Sequence, residues 1–332
     1  MTEELGAISA AIAAGESVRG TTSPNPPVGC ALVSASGELI ATGATSPAGG
    51  PHAEINALRQ AGARARGATA VVTLEPCSHI GRTGPCARAL VEAGVKRVVY
   101  FTADPNKAAA GGAAYLRDHG VEVDFQPVRV AALQPWLRSV RHGRPSVTLK
   151  FASTLDGFTA AADGTSKWIT GEAARGQVHE DRAKIDAIIV GTGTAIADDP
   201  SLTARFPDGT LRQHQPRRVV IGSREVPEGN LSRLGFEQYA TPHEALDALW
   251  HTGARDVLVE GGATLAASFL ELDLVDTVQA YIAPALLGAG RGVLDRAIAG
   301  TIADAYRFRT TAVRQVGDDV FIEMERDVYG TY

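Results

Sequence analysis

The chain has 332 residues and a formal net charge of −5, and a chain of this length usually forms two domains rather than one core. Hydrophobic residues make up 45% of it and charged residues 21%, which is ordinary for a globular enzyme. The acidic balance argues against a protein that binds duplex nucleic acid, and no apolar run approaches the length of a transmembrane helix.

The cysteine content indicates the redox environment. The chain has 3 cysteines, which cannot all pair, and Cys30 stands apart from Cys77 and Cys86. This usage favours a reducing cytoplasm and metal-binding thiols over a disulfide framework. The first residues, Met1-Thr2-Glu3-Glu4, lack the basic and apolar regions of a secretory signal. We therefore expect a cytoplasmic protein with no membrane partner.

The first half of the chain alternates predicted helices with short strands. Residues 3–19 have the spacing of an amphipathic helix, with a buried face formed by Leu5, Ile8, Ile12 and Val18. Apolar and β-branched runs predict strands, with helices between them, at these positions: strands 28–33, 38–42, 69–74, 96–101 and 121–125, and helices 52–61, 86–93, 108–119 and 131–143. This alternation is typical of an α/β domain.

A group of metal-binding residue types lies within this half. Pro51-His52-Ala53-Glu54 is followed by Pro76-Cys77 and then by Cys86. One His and two Cys can fill three positions on a tetrahedral zinc ion and leave the fourth for water, as a catalytic zinc requires. Glu54 lies two residues after His52, and zinc-dependent nucleobase deaminases use such a glutamate to transfer protons. Each element alone carries little information, but the combination predicts a zinc deaminase site.

The loop between the two cysteines narrows the substrate class. Eight residues separate Cys77 from Cys86, where the general deaminase pattern has two. Because a metal ligand would hold each end, the loop is expected over the pocket, with His79 and Arg82 as candidates to bind a phosphate or a pyrimidine carbonyl. A plain solvated loop is the alternative. Asn25, in a proline-rich loop, is either a turn residue or a contact for the base.

The second half predicts a second α/β domain after a break at Gly143-Arg144-Pro145. Strands are expected at 146–152, 187–191, 217–224 and 256–260, with helices at 172–184 and up to residue 270 and a glycine-rich turn at residues 192–194. This order favours a mainly parallel sheet with its ligand site at the carboxyl ends of the strands. Gly261-Gly262 lies at one such end and could approach a pyrophosphate, although no Gly-x-Gly-x-x-Gly fingerprint is present and a tight turn is equally compatible.

These motifs together resemble the bifunctional riboflavin-biosynthesis deaminase–reductase family. The run Thr73-Leu74-Glu75-Pro76-Cys77-Ser78-His79 and its continuation to Cys86 resemble the deaminase half. The reductase half is resembled by Leu149-Lys150-Phe151-Ala152, Ser166-Lys167-Trp168-Ile169-Thr170, Ala197-Asp198-Asp199-Pro200 and Glu260-Gly261-Gly262. The resemblance implies an α/β protein with a cytidine-deaminase-like three-layer domain at residues 1–144 and a dihydrofolate-reductase-like domain at residues 145–332.

The resemblance also implies two activities on phosphorylated aminopyrimidines. A zinc-dependent pyrimidine deaminase domain would remove the exocyclic amine of 2,5-diamino-6-ribosylamino-4(3H)-pyrimidinone 5′-phosphate. An NADPH-dependent reductase domain would then reduce the ribosyl side chain to the ribitylamino-uracil phosphate. One Zn²⁺ per chain and NADPH are the expected cofactors, and a homo-oligomer, either a dimer or a tetramer, is the expected assembly.

The same resemblance implies roles for individual residues. In the deaminase half, Glu54 would transfer protons, and the substrate contacts would be Asn25, His79, Arg82, Asp104 and Asn106. In the reductase half, Lys150 and Asp198 would lie near the reacting sugar. NADPH would contact Ala152, Trp168, Thr194, Asp198, Ser223, Gly262, Ala263, Thr264, Leu265, Ala266, Ala267 and Ser268. The ribosylamino-uracil phosphate would contact Ser166, Arg182, Leu202, Arg205 and Glu260.

Physical chemistry supports part of this assignment. Arg182 and Arg205 suit a phosphate monoester, although a surface salt bridge is the common fate of a single arginine. Ser223 and Arg224, at a predicted strand end, could bind the 2′-phosphate that distinguishes NADPH from NADH.

One departure from the family keeps other functions open. Thr45 stands where the family has a histidine, so a reductase with an impaired deaminase is one alternative. A non-catalytic module that binds a nucleotide or is stabilised by zinc is another. A tRNA or DNA deaminase is disfavoured because that class needs a basic, aromatic surface.

Overall fold

The structure is a computed structural model that describes residues 2–78, 84–106 and 110–326. The chain divides into two compact units, Met1–Gly143 and Arg144–Tyr332. Each unit builds its hydrophobic core from its own residues. None of the helices in the described part of the chain is long and apolar enough to cross a membrane.

The first unit is a five-stranded mixed sheet with flanking helices. Its strands are β1 (Gly29–Val33), β2 (Leu39–Ala44), β3 (Thr69–Val72), β4 (Arg97–Tyr100) and β5 (Glu122–Phe125), and its helices are α1 (Thr2–Glu16), α2 (Ala53–Ala61), α3 (Cys86–Glu92), α4 (Gly112–Asp118) and α5 (Gln134–His142). Short 3₁₀ turns occupy Gly62–Ala65 and Ala131–Leu133. The strand order is β2-β1-β3-β4-β5. β1 is antiparallel to both neighbours, whereas β3, β4 and β5 are parallel.

The central strands of this sheet are covered on both faces. Cys30, Ala31 and Leu32 are consecutive in β1, so their side chains alternate between the faces, and all three are completely buried. The same holds for Ala70, Val71 and Val72 in β3. A sheet buried on both faces needs a layer on each side, as a three-layer domain provides.

Helix α1 packs through small side chains rather than large ones. Its buried positions include Ala7 and Ala11, whereas Leu5 is 59% exposed, so the prediction that Leu5 is buried is wrong. The reason is the short distance between the helix and β1. A Cβ atom on Gly29 would lie only 1.8 Å from the Ala11 carbonyl oxygen. Small residues one helical turn apart therefore form the contact face.

Helix α2 approaches β2 equally closely. A Cβ atom on Gly43 would lie 2.2 Å from the Ala53 carbonyl oxygen and 2.4 Å from the Ala57 nitrogen. The first turn of α2 is thereby fixed against the sheet, and that turn follows directly after His52.

The second unit contains two sheets, one of eight strands and one of two. Its described strands are β6 (Ser146–Thr154), β7 (Phe158–Ala161), β8 (Ala187–Gly191), β9 (Arg217–Ile221), β10 (Glu237–Tyr239), β11 (Asp256–Val259), β12 (Thr277–Ala283), β13 (Gly290–Gly292), β14 (Arg309–Val316) and β15 (Asp319–Glu325). Its helices are α6 (Glu172–Arg182), α7 (Thr192–Asp198), α8 (Asn230–Leu234), α9 (Pro242–His251) and α10 (Ala263–Glu271), with a 3₁₀ turn at Ile302–Asp304. The strand order is β10-β9-β8-β11-β6-β12-β15-β14, and β7 pairs with β13 separately.

The parallel strands of the eight-stranded sheet have their carboxyl ends at one common edge. The first six strands in this order, β10, β9, β8, β11, β6 and β12, run parallel, and antiparallel β15 and β14 complete the sheet. The predicted glycine-rich turn at residues 192–194 is wrong, because Thr192 instead begins α7. Both α7 and α10 start close to the carboxyl end of a central strand, which places their first residues at the edge where parallel sheets bind ligands.

Candidate functional site

Three elements of the first unit bring His52, Cys77 and Cys86 together. His52 precedes α2, Cys77 follows β3 in a loop, and Cys86 is the first residue of α3. The Nδ1 atom of His52 lies 3.6 Å from Sγ of Cys77 and 3.4 Å from Sγ of Cys86. The candidate ligand atoms of all three side chains lie within 4.8 Å of one another. One imidazole nitrogen therefore faces two thiols in a compact group.

This geometry fits a tetrahedral zinc ion. Zinc bonds of about 2.3 Å to sulfur and about 2.0 Å to nitrogen, at a tetrahedral angle, separate a sulfur from a nitrogen by roughly 3.6 Å. The two observed distances from His52 agree with this separation. A further contact orders the loop, because the backbone N–H of Cys86 donates to Sγ of Cys77 at 3.4 Å.

The two thiols share their protons unequally. The pKa of Cys77 is lowered to about 4, chiefly because Cys86 donates a hydrogen bond to its sulfur, with His52 adding a second donor. The same contact raises the pKa of Cys86. The group therefore presents at least one thiolate, the form of cysteine that binds metals.

Glu54 is enclosed beside these three residues. It lies in the first turn of α2 and is 3% exposed. Burial raises the pKa of its carboxyl to about 7, and the negative charge of Cys77 adds to this effect. Glu54 also interacts with the thiol of Cys86. A buried carboxyl therefore lies next to the predicted metal ligands, where a proton-transfer group would have to be.

The loops of the predicted deaminase pocket are only partly described. His79 and Arg82 lie outside the described residues. Asp104 accepts a hydrogen bond from the backbone of Asn106 at 2.8 Å, which closes a turn after β4. Ser78 donates to the Ala110 carbonyl at 2.7 Å and so ties this segment to the residue that follows Cys77.

Asn25 and Thr45 lie beside the antiparallel strands β1 and β2, Asn25 in the loop before β1 and Thr45 directly after β2. Asn25 is partly buried in the loop before β1, where its carbonyl accepts from the Thr22 hydroxyl at 3.0 Å. Thr45 is buried, and its hydroxyl accepts from the Val28 backbone N–H at 3.2 Å. Thr45 thus has a structural role in joining the end of β2 to the start of β1.

A large cleft lies in the second unit, at the carboxyl ends of the parallel strands. Its volume is 2070 Å³. The predicted reductase residues that line it are Lys150, Ala152, Ser166, Trp168, Arg182, Thr194, Asp198, Leu202, Arg205, Glu260, Gly262, Ala263, Thr264, Leu265, Ala266 and Ser268. Ser223 and Ala267 are not among the lining residues. Ala267 is buried within α10, and Ser223 is exposed between Gly222 and Arg224, which do line the cleft.

A buried ionic group forms part of the cleft wall. Arg182 donates from Nε and Nη2 to the two carboxylate oxygens of Glu260 at 2.8 and 2.9 Å. The Lys150 ammonium lies 3.6 Å from Oε2 of the same carboxylate. Burial alone would raise the pKa of Glu260, but the charges of Arg182 and Lys150 outweigh it and lower this pKa to about 2. Glu260 is therefore a carboxylate that holds two cations in place.

Three further residues, two that line the cleft and one buried beside it, were not predicted from the sequence. Thr203, between Leu202 and Arg205, contacts both predicted arginines, and His179, three residues before Arg182 on α6, contacts Thr203. The helical spacing of His179 and Arg182 was the available signal, since such residues share a helix face. Arg175 lies with Cζ 4.6 Å from the ring centre of Trp168, whose side chain is otherwise 71% exposed.

Family models match both halves of the chain. The cytidine and deoxycytidylate deaminase zinc-binding region matches residues 1–102, and the RibD C-terminal domain matches residues 145–322. The riboflavin biosynthesis protein RibD of Corynebacterium ammoniagenes is 60% identical over 90% of this chain and 91% of its own length. The chain belongs to the RibD family.

Other RibD proteins agree with this assignment. RibD of Mycobacterium tuberculosis is 46% identical over 92% of this chain and 93% of its own length. The structure of RibD from Acinetobacter baumannii superimposes with a TM-score of 0.84 at 39% identity, over 98% of this chain and 99% of that one.

A second solved relative is the diaminohydroxyphosphoribosylaminopyrimidine deaminase/5-amino-6-(5-phosphoribosylamino)uracil reductase of Thermotoga maritima. It superimposes with a TM-score of 0.87 at 32% identity, over 98% of this chain and 99% of that one. The predicted family and fold class are thereby confirmed, with a cytidine-deaminase-like first unit and a RibD-type reductase second unit.

Proposed function

We propose that this RibD family member catalyses two successive steps of riboflavin biosynthesis. It deaminates 2,5-diamino-6-ribosylamino-4(3H)-pyrimidinone 5′-phosphate and then reduces the ribosyl side chain to the ribitylamino-uracil phosphate. The observation that carries the proposal is the presence, in one chain, of a His-Cys-Cys group with a buried glutamate and a separate cleft with a cationic wall. Neither a non-catalytic module nor an impaired deaminase is favoured, because relatives named RibD match over both halves.

In the deaminase half, His52, Cys77 and Cys86 are the proposed zinc ligands. Zinc, when bound, lowers the pKa of water and supplies the nucleophile for the ring carbon that bears the amine. Glu54 moves protons from the attacking water to the departing amine, which leaves as ammonia. Its burial beside Cys86 supports this role, since the site excludes bulk water from the carboxyl. Asn25, Asp104 and Asn106, with His79 and Arg82 outside the described residues, are the proposed pyrimidine contacts.

In the reductase half, the cleft is the proposed site for NADPH and the ribosylamino-uracil phosphate. NADPH, when bound, supplies hydride to C1′ of the opened sugar. Arg182 and Arg205 are the proposed phosphate contacts, and Lys150 and Asp198 are assigned to the sugar, where protonation of the departing ring oxygen is needed. The bidentate contact between Glu260 and Arg182 supports this arrangement, because it fixes the guanidinium plane in the cleft wall.

The coenzyme preference has a candidate residue in the same cleft. Arg224 lines it, and its Nε lies 3.4 Å from the Thr192 hydroxyl at the start of α7. Ser223, in contrast, does not line the cleft and is exposed. Of the two residues expected to bind a 2′-phosphate, Arg224 is therefore the better supported.

The decisive experiment on the proposed function uses the substitution Glu54→Gln. We expect ammonia release to fall by roughly 10²- to 10⁴-fold, because acid–base catalysis is lost. The zinc content should be unchanged, since Glu54 is not a proposed ligand. NADPH oxidation with the already deaminated substrate should continue at the wild-type rate. Ammonia release that survives the substitution would contradict a catalytic zinc site, and loss of both activities would point to a structural role for Glu54.

A further inference from the structure

Thr203 joins the two arginines that line the reductase cleft. Its carbonyl oxygen accepts from Nη1 of Arg182 at 3.1 Å, and its hydroxyl accepts from Nε of Arg205 at 2.7 Å. The two guanidinium groups, 23 positions apart in the chain, are therefore anchored to the same residue. Thr203 itself is 3% exposed, so it is enclosed by the protein and cannot rotate freely.

His179 adds a third contact to Thr203. Its Nδ1 lies 2.9 Å from the Thr203 carbonyl oxygen, and because a carbonyl only accepts, Nδ1 carries the proton. The ring lines the cleft and lies one helical turn before Arg182 on α6. Burial lowers the pKa of His179, and the charges of Arg182 and Arg205 lower it further. The burial and the neighbouring arginines thus disfavour the charged ring, while the Nδ1 proton still donates to the loop.

The backbone around Thr203 explains why such contacts are needed. Asp199 and Leu202 have φ angles of 40° and 51°, in the left-handed region that is unfavourable for a non-glycine residue. The Leu202 side chain is buried in an apolar cluster with Val190 and Leu231. A loop held in this conformation needs surrounding contacts, and the hydrogen bonds to Thr203 supply them on the side that faces the cleft.

We propose that Thr203 and His179 are positioning residues for the anion-binding part of the cleft, where they hold Arg182 and Arg205 in a fixed relation that suits a phosphate monoester. This inference rests on the proposed function, because it takes the reductase substrate to be a phosphate. Neither residue needs to touch the substrate. Nε of Arg205 is occupied by Thr203, so its two terminal nitrogens remain for the anion. Arg182, oriented by Glu260 and Thr203, presents its two remaining N–H groups, one on each terminal nitrogen, from a fixed plane.

The test compares four full-length variants with wild type. Thr203→Val removes the acceptor of Arg205 with little change in volume, and Thr203→Ser restores it. Thr252→Val is the matched control, because the Thr252 hydroxyl also accepts from an arginine, Arg217, at 2.7 Å but lies outside the cleft. Arg205→Ala tests the anion site itself. The readouts are KM and kcat for the phosphorylated substrate, KM for its dephosphorylated riboside, and competitive inhibition by inorganic phosphate.

We expect Thr203→Val to raise KM for the phosphorylated substrate and the inhibition constant of phosphate by about tenfold, the effect of one weakened charge-assisted hydrogen bond. Its kcat and its KM for the riboside should change little. Thr203→Ser and Thr252→Val should resemble wild type. If Arg205→Ala raises the phosphate-dependent constants but Thr203→Val does not, positioning by Thr203 is refuted and the proposed function stands. If Arg205→Ala also leaves them unchanged, the phosphate assignment itself fails.

His179 is tested through its donor. His179→Asn keeps an N–H near the position of Nδ1, whereas His179→Ala removes it. The inference expects a raised KM for the phosphorylated substrate in the alanine variant and recovery in the asparagine variant. Equal behaviour of both variants, at wild-type KM, would refute a positioning role for His179. This pair also provides a second test if Thr203→Val does not fold.

Discussion

At the scale of single residues, Glu260 shows how a buried charge is kept ionised. Two cations, Arg182 and Lys150, surround its carboxylate and offset the cost of burial. Breaking such a buried pair by removing one partner is costly, because the remaining charges lose their compensation. Glu260 therefore connects the stability of the second unit to the geometry of its cleft.

The pH dependence of stability should expose this residue. The folded-state pKa of Glu260 is about 2, below the ordinary value of about 4.3, so its contribution is fully present well above pH 4.3 and is lost progressively as the pH falls through 4.3 toward 2. We expect the difference in unfolding free energy between wild type and Glu260→Gln to shrink by roughly 1.7 kcal/mol between pH 6 and pH 3. Urea denaturation of both proteins at several pH values measures this, and a difference independent of pH would contradict it.

The site residues that could be predicted from the sequence differ in residue type from those that could not. His52, Glu54, Cys77 and Cys86 are chemically unusual types at a specific spacing, so a pattern can identify them. Thr203 is a common residue whose importance comes from three hydrogen bonds to side chains of α6 and its own loop. No local pattern encodes such contacts, since they depend on how distant segments meet.

At the scale of elements, the contact of α1 with β1 is a backbone-to-backbone approach. Periodicity predicted the helix and the partly buried Ile8 and Ile12, but it wrongly buried Leu5, because it favours large apolar residues and the closest contact uses Ala7 and Ala11. The missing information was the distance between the helix and the strand, which Gly29 permits. The prediction of a turn at residues 192–194 is also wrong. The glycine in this segment suggested a break, whereas the segment continues as α7.

Two glycine substitutions should distinguish the close contact between α1 and β1 from the general effect of a glycine on helix stability. Gly29→Ala places a Cβ atom 1.8 Å from the Ala11 carbonyl oxygen, so α1 must shift, and we expect a loss of about 2–3 kcal/mol or more in unfolding free energy. Gly6→Ala, also at α1, meets no atom within 4 Å and should stabilise the helix by about 0.5–1 kcal/mol. Thermal or urea denaturation compares the two. Equal effects of the two substitutions would contradict the close contact.

At the scale of the whole molecule, the two candidate sites use separate parts of the chain. The proposed zinc ligands and Glu54 lie in Met1–Gly143, whereas the residues that line the cleft lie between Leu149 and Asp295 in Arg144–Tyr332. The order of elements, the mainly parallel second sheet and the pairing of a deaminase-like with a reductase-like half could be predicted from sequence. Strands β12, β14 and β15, which complete the second sheet, were not predicted.

Removal of zinc should therefore affect one activity only. After dialysis against a zinc chelator such as dipicolinate, we expect ammonia release to be abolished and NADPH oxidation with the deaminated substrate to be retained. Added Zn²⁺ should restore ammonia release, because the lost group is the one that supplies the nucleophile. Parallel assays of both activities on one sample measure this. Loss of both activities at the same chelator concentration would show that the cleft depends on the metal.

The close approach of Gly43 to α2 has a consequence for how sequence variation in this family is interpreted. Gly43 carries no chemical group, yet any side chain there would push against Ala53 and Ala57 and displace the helix that begins next to His52. Its intolerance of substitution would thus resemble that of a catalytic residue. Invariance at such a position records a distance between two backbones rather than a reaction step, and mutational tolerance alone does not distinguish the two.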